Sequence, residues 1–302
     1  MSMKKSTLIF GMVLMAAVLL GCKKLALDGL AFPAEKTDAY LFEEFEGETE
    51  VDVPDQYSLT ASDRTLVSFT STDQETGEEF TLYGVYIGDM ATISTDTVIM
   101  YLHGQSKHMD YYWSRAALLA HTGGQLNYGV FMIDYRGYGM SEGTSTERGL
   151  YEDADAAIDW LISHGAAPER TIFYGFSLGA IPCIDRAAYR SDFKPSKLII
   201  EAPLASVQNL VDNSTLMNVN SDFVTDLEFE NAEKIKDVTC PLLWMHGKED
   251  DYIEIQNGEL IYANHGGQSK TAYRVDDCNH GQVPSKMGYE TYISNVLSYI
   301  RD

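Results

Sequence analysis

Apolar and polar positions along this chain follow two periods. Thr65–Thr70 and Phe80–Ile87 read as strands joined by a loop containing Thr76-Gly77. Thr97–Leu102 and Gly129–Tyr135 are continuous apolar runs, as expected for strands buried on both faces. Tyr111–His121 between them reads as a helix. Over 149–164 the period lengthens, and Ala154, Ala157, Ile158, Leu161 and Ile162 share one helical face. Further strands are predicted at Thr171–Phe176, Lys197–Glu201, Pro241–Met245 and Lys270–Asp276. Further helices are predicted at Leu178–Tyr189, 254–264 and Tyr289–Ile300. Strand and helix thus alternate after an initial hairpin. This predicts an α/β fold with a mostly parallel, eight-stranded sheet and helices on both faces. Functional residues of such sheets sit in loops at the carboxyl ends of the strands.

The chain start breaks this pattern. Leu8–Leu20 is apolar except for Gly11 and follows Lys4 and Lys5. It falls short of the ~20 residues of a spanning helix and fits the core of a secretory signal; the other reading is an uncleaved signal anchor. Residues 22–56 read as an acidic tether, with Tyr40, Phe42 and Phe45 suggesting that part of it packs on the domain. Residues 57–302 form the domain, with a small apolar insertion at about 204–238 read as a cap.

Charge narrows the partners. The 45 acidic residues outnumber the 22 basic ones, which argues against a nucleic-acid partner and against a polybasic hold on anionic lipid. Besides Cys22 there are Cys183, Cys240 and Cys278. Cys240 is expected to begin one strand and Cys278 to end a parallel one. That places them ~20 Å apart, beyond disulfide reach.

The chemistry centres on Gly175-Phe176-Ser177-Leu178-Gly179, set between a predicted strand and helix. A nucleophile on such a sharp turn is pushed into the cleft, and glycines on either side remove colliding side chains. The helix that follows aims free N–H groups at the reacting oxygen. A serine hydroxyl needs a base, and seven histidines compete for that role. Two other motifs carry less. Asp134–Gly143 is turn-rich but lacks the Lys-Ser or Lys-Thr ending of a phosphate loop, and its Arg136 reads as a pin for the loop. Cys278 and His280 form a single Cys-x-His pair, poor evidence for zinc, so no metal and no cofactor is expected.

Five segments in order resemble the α/β-hydrolase superfamily, closest to its small-capped members of the Bem46 and serine aminopeptidase groups. They are His103-Gly104, Asp134–Gly143, the Ser177 turn, His246-Gly247-Lys248-Glu249-Asp250, and Asn279-His280. The resemblance covers 64–302 and implies the α/β-hydrolase fold. It implies Ser177 as nucleophile, His280 as base and Asp250 as orienting acid, with Asp251 its neighbouring alternative. It also implies an oxyanion hole from the backbone N–H groups of Leu178 and Gln105, with His103 holding the loop. The expected activity is hydrolysis of a small carboxylic ester. A thioesterase, a peptidase or amidase, or a non-catalytic binding lipoprotein are the alternatives. Leu19-Leu20-Gly21-Cys22 resembles a bacterial lipobox. That implies a signal over 1–21, acylation at Cys22 and attachment to a membrane of the cell envelope. Lys23 rather than Asp follows the cysteine, which favours the outer membrane under a sorting rule like that of enteric bacteria.

Overall fold

The computed structural model describes residues 28–209 and 225–302. The signal over 1–21, Cys22 and the cap residues Leu210, Val211, Leu216, Met217, Phe223 and Val224 lie outside the described residues.

Eight strands form one sheet: β1 (Arg64–Thr72), β2 (Glu79–Ile87), β3 (Val98–Leu102), β4 (Gly129–Asp134), β5 (Thr171–Phe176), β6 (Lys197–Glu201), β7 (Leu242–Gly247) and β8 (Lys270–Val275). Their order is β1-β2-β4-β3-β5-β6-β7-β8. Only β2 runs against its neighbours, and all other pairs are parallel. The main helices are α1 (Trp113–Ala120), α2 (Glu147–Ser163), α3 (Ala180–Tyr189), α4 (Ile255–Asn264) and α5 (Tyr289–Arg301). Their bounds lie within two residues of those the apolar pattern predicts.

Strands β3, β4 and β5 are buried throughout, which explains their unbroken apolar runs. Successive side chains point to opposite faces. Met100, Phe131, Phe173 and Trp244 therefore pack with α2, α3 and Ile261 of α4. Tyr101, Met132, Tyr174 and Met245 pack with α1 and α5 on the other face. Of the apolar residues in the insertion, Ala205, Val207, Leu227, Phe229, Ala232, Ile235 and Val238 are buried in the first of these cores.

Two features fix the surroundings of the site. Arg136 is buried and pairs with Glu152 and Asp153 of α2, each at 2.8 Å, pinning the loop after β4. Residues 34–57 lie against the domain. Ala34 bridges to Ser106 and Lys36 to Gly139. The Tyr40 hydroxyl donates to Asp134 at 2.6 Å, and the Leu41 and Phe42 amides donate to Asp110 at 2.8 and 2.9 Å. Phe42 and Val51 are buried beside α1.

Cys240 stands just before β7 and Cys278 just beyond β8, slightly outside the strand ends expected for them; both, like Cys183, are free thiols. Among the described residues no helix is long and apolar enough to cross a membrane.

Candidate active site

Strand β5 ends at Phe176, and Ser177 then adopts φ +51°. An L-residue pays roughly 1–2 kcal/mol for that left-handed conformation, so the turn is held by its surroundings. The chain continues as one tight turn, Ser177–Gly179, and runs straight into α3. The serine therefore stands at the N-terminal end of this helical stretch, where backbone N–H groups lack intrahelical partners.

The flanking glycines have a steric cause. A Cβ on Gly175 would lie 2.6 Å from the Ala180 Cα, and one on Gly179 would lie 1.9 Å from the Leu102 carbonyl oxygen. Both obstacles are backbone, so neither yields cheaply. Gly179→Ala is expected to destabilise the fold by about 2–3 kcal/mol and to slow the reaction of Ser177 with an active-site probe at least tenfold. A thermal melt and a labelling time course check this.

The loops after β7 and β8 bring the rest of the site together. His280 Nε2 lies 3.1 Å from Ser177 Oγ, and its Nδ1 lies 2.8 Å from Asp250 Oδ2. The network requires the ring proton on Nδ1, donating to Asp250, which leaves Nε2 to accept the serine proton. Of the two neighbouring acids, Asp250 is the one in contact with His280. The Asp251 side chain is exposed and makes no hydrogen bond to a described residue, while its amide donates to Asn279 Oδ1 at 3.0 Å.

Asp250 is itself tightly held. Its Oδ1 accepts from the amides of Tyr252 and Ile253 at 3.0 and 2.8 Å. His246 Nε2 lies 3.2 Å from Asp250 Oδ2 and 2.9 Å from the Ile253 carbonyl. Trp244 Nε1 points at His246 Nδ1 at 3.4 Å, so the His246 proton sits on Nε2. Burial pushes the Asp250 carboxyl up. Hydrogen bonds from His246 and His280, the charge of His280 and the Ile253 amide more than reverse this and hold it well below the usual carboxylate range. Asp250 therefore stays an anion beside His280.

The expected oxyanion donors are free. Neither the Leu178 amide nor the Gln105 amide donates to an acceptor among the described residues. The Gln105 carbonyl accepts from Tyr112 at 2.8 Å, and its side chain donates to the Tyr252 hydroxyl. His103 holds this loop: Nε2 bonds Asp134 at 3.0 Å, Nδ1 bonds the Gly104 carbonyl at 2.7 Å, and the ring stacks on Tyr112. No cluster of three His, Cys, Asp or Glu side chains suited to a metal occurs among the described residues. Burial pushes the Cys278 thiol up to about 12, so it is a poor ligand and a poor nucleophile.

One functional neighbour escaped the sequence reading. Arg115 stands in α1 among apolar residues and is almost fully buried. It bonds Glu48, Glu201 and the carbonyl of Gly281, the residue after His280. A lone charge within the apolar stretch Trp113–Ala120 was the one available signal.

Solved structures share this architecture. An esterase from Pyrococcus furiosus aligns with a TM-score of 0.62 at 18% identity, covering 81% of this chain and 95% of its own. An alpha-beta hydrolase from Vibrio vulnificus aligns with a TM-score of 0.62 at 18% identity, covering 88% and 96%. This is the α/β-hydrolase fold. The family model described as serine aminopeptidase, S33, matches residues 93–233. That stretch of the α/β-hydrolase domain includes Gln105, Ser177 and Leu178 and stops before Asp250 and His280. Among curated relatives, alpha/beta hydrolase domain-containing protein 17B of Homo sapiens is 35% identical over 143 residues, 46% of each chain. Protein 17C of Mus musculus is 36% identical over 141 residues, 46% of this chain and 42% of its own. The chain thus spans less than half the length of these relatives.

Proposed function

We propose that this α/β-hydrolase cleaves small carboxylic esters through an acyl-enzyme on Ser177. The observation that carries the reading is the continuous relay from Ser177 Oγ through His280 to Asp250, with the Leu178 and Gln105 amides left without acceptors among the described residues. Ser177 Oγ attacks the ester carbonyl carbon as its proton passes to His280 Nε2. The carbonyl oxygen becomes an anion between the Gln105 and Leu178 N–H groups. The tetrahedral adduct collapses, the C–O bond to the alcohol breaks, and the alcohol leaves with the proton from His280. Water then gives a proton to His280 and attacks the acyl-serine. Collapse of that adduct releases the carboxylic acid and returns the proton to Ser177. Asp250 holds the imidazolium at both transfers.

The test is a panel of aryl esters of graded acyl length beside aminoacyl arylamides, with a fluorophosphonate probe on the same protein. Ester turnover with labelling of Ser177 supports the reading. Faster cleavage of arylamides makes the chain a peptidase, in line with the description of its matching family model. Absence of both turnover and labelling leaves a binding protein.

We further propose that Cys22 carries an acyl anchor that holds the domain at a bacterial envelope membrane, the outer membrane being favoured. The support is the apolar run ending in Leu20-Gly21-Cys22. A single acyl chain binds marginally and two or more bind stably. Cys22→Ala is therefore expected to move the protein from the membrane pellet to the soluble fraction. Unchanged retention of the variant in the pellet refutes acylation there.

A further inference from the structure

The N-terminal segment does more than lie on the domain: it delivers a buried carboxylate beneath the site. Glu48 is 6% exposed, Arg115 is 1% exposed and Glu201 is fully enclosed. Arg115 Nε is 3.0 and 2.9 Å from the two Glu48 oxygens. Its Nη1 donates to Glu201 at 2.7 Å and its Nη2 to the Gly281 carbonyl at 2.5 Å. The guanidinium also lies over the Phe176 ring, 4.0 Å from its centroid. Phe176 precedes the nucleophile and Gly281 follows the base. One planar cation thus touches both chain segments that the reaction needs in register.

We propose that Glu48 is a positioning residue for His280, acting through Arg115 on the His280–Gly281 turn. The inference rests on the hydrolase reading above. Its physical basis is the rigidity of the guanidinium fork. With Nε held by Glu48 and Nη1 by Glu201, the direction of Nη2 is fixed, and with it the place of the Gly281 carbonyl. Without Glu48 the fork pivots about Glu201. The His280 ring sits on the same turn, stacked on Phe176 at 5.4 Å, and a small shift there lengthens its bond to Ser177.

The cluster is not explained by stability. Buried ion groups can be exchanged for apolar residues of similar volume at no loss in stability, or with a gain. Two carboxylates also face a single guanidinium, with Glu50 and the hydroxyls of Tyr101, Tyr112, Tyr174 and Tyr292 around them. Burial pushes the Glu48 carboxyl up to about 7 against the pull of Arg115. Gln has nearly the same shape as Glu, and it keeps an oxygen for Arg115 Nε.

The test compares Glu48→Leu and Glu48→Gln with the wild type, with kcat normalised to sites titrated by fluorophosphonate. Glu48→Leu is expected to lower kcat about tenfold, within the ~100-fold that a 1 Å misplacement can cost, with KM changed less than about twofold. Glu48→Gln is expected to retain at least about a third of the wild-type kcat. The downfield proton resonance of the His280 Nδ1–H···Asp250 bond should broaden or vanish in Glu48→Leu and persist in Glu48→Gln. A kcat for Glu48→Leu within twofold of wild type overturns the proposal. So does an equal loss in both variants that merely follows their melting temperatures. The resonance is read without substrate. If the wild type turns over no ester, the function fails on its own, and an unchanged resonance in Glu48→Leu still sinks the positioning role.

Discussion

Ser177→Ala is expected to lower kcat/KM for the best ester about 10⁴- to 10⁶-fold, with the melting temperature within a few degrees of wild type. The size follows from what is lost. Removing Oγ removes the bond that splits one hard step into two easier ones. What is left is the pair of free amides at Gln105 and Leu178, together with substrate binding, and such sites alone still exceed water by about 10³–10⁴. The fold should tolerate the change, because among the described residues Oγ bonds only His280 and alanine is smaller than serine. It keeps the φ of +51° that the turn imposes, so any shift in melting comes from that lost bond. The measurement is steady-state turnover beside gel labelling by fluorophosphonate. Labelling that persists in Ser177→Ala would place the nucleophile elsewhere.

Asp250→Asn is expected to lower kcat about 10³- to 10⁴-fold, while Asp251→Asn stays within twofold. The contrast is fixed by which way the new amide must face. Asp250 Oδ1 takes two backbone N–H groups, from Tyr252 and Ile253. An Asn carbonyl is forced into that position, since its amino group cannot accept. The NH₂ group then points at His280 Nδ1 and donates to it. The imidazole must carry its own proton on Nε2, where it faces the Ser177 hydroxyl and cannot accept its proton. Turnover of the two variants checks this, and equal losses in both would return the choice between the two acids to open.

The elements were legible because their cause is local. The unbroken apolar runs of β3, β4 and β5 come from burial on both faces, and burial on both faces is what makes them central. The Ser177 turn was legible for a similar reason. Gly175 and Gly179 are demanded by backbone within a few ångströms, and Ala180 and Leu102 stand in place whatever the substrate. The choice between Asp250 and Asp251 was narrower in sequence than in space. Neighbours on a loop point apart, and the Tyr252 and Ile253 amides, with His246 and His280, hold Asp250 as the one turned inward. Arg115 was not legible as a site neighbour. Its partners Glu48, Glu201 and Gly281 come from three distant stretches, and no local period marks their meeting. The acidic run 38–55 looked like solvated charge, yet Glu48 within it is buried, because one inward carboxylate among many outward ones leaves no trace in composition.

The docked N-terminal segment also sets a leash length. Asp28 accepts a hydrogen bond from the Glu147 amide at 2.8 Å, and Phe32 is buried in the core, so the chain is attached to the domain from the first described residue. From Cys22 to Asp28 the chain makes six residue steps, a span of at most about 20 Å. A free strand out to residue 56 could reach about 120 Å. With an acyl group on Cys22, the catalyst would therefore skim the headgroups rather than swing above them. Esters held in the same leaflet would meet it by a two-dimensional search, and those dissolved far from the surface would meet it only by coming to the membrane.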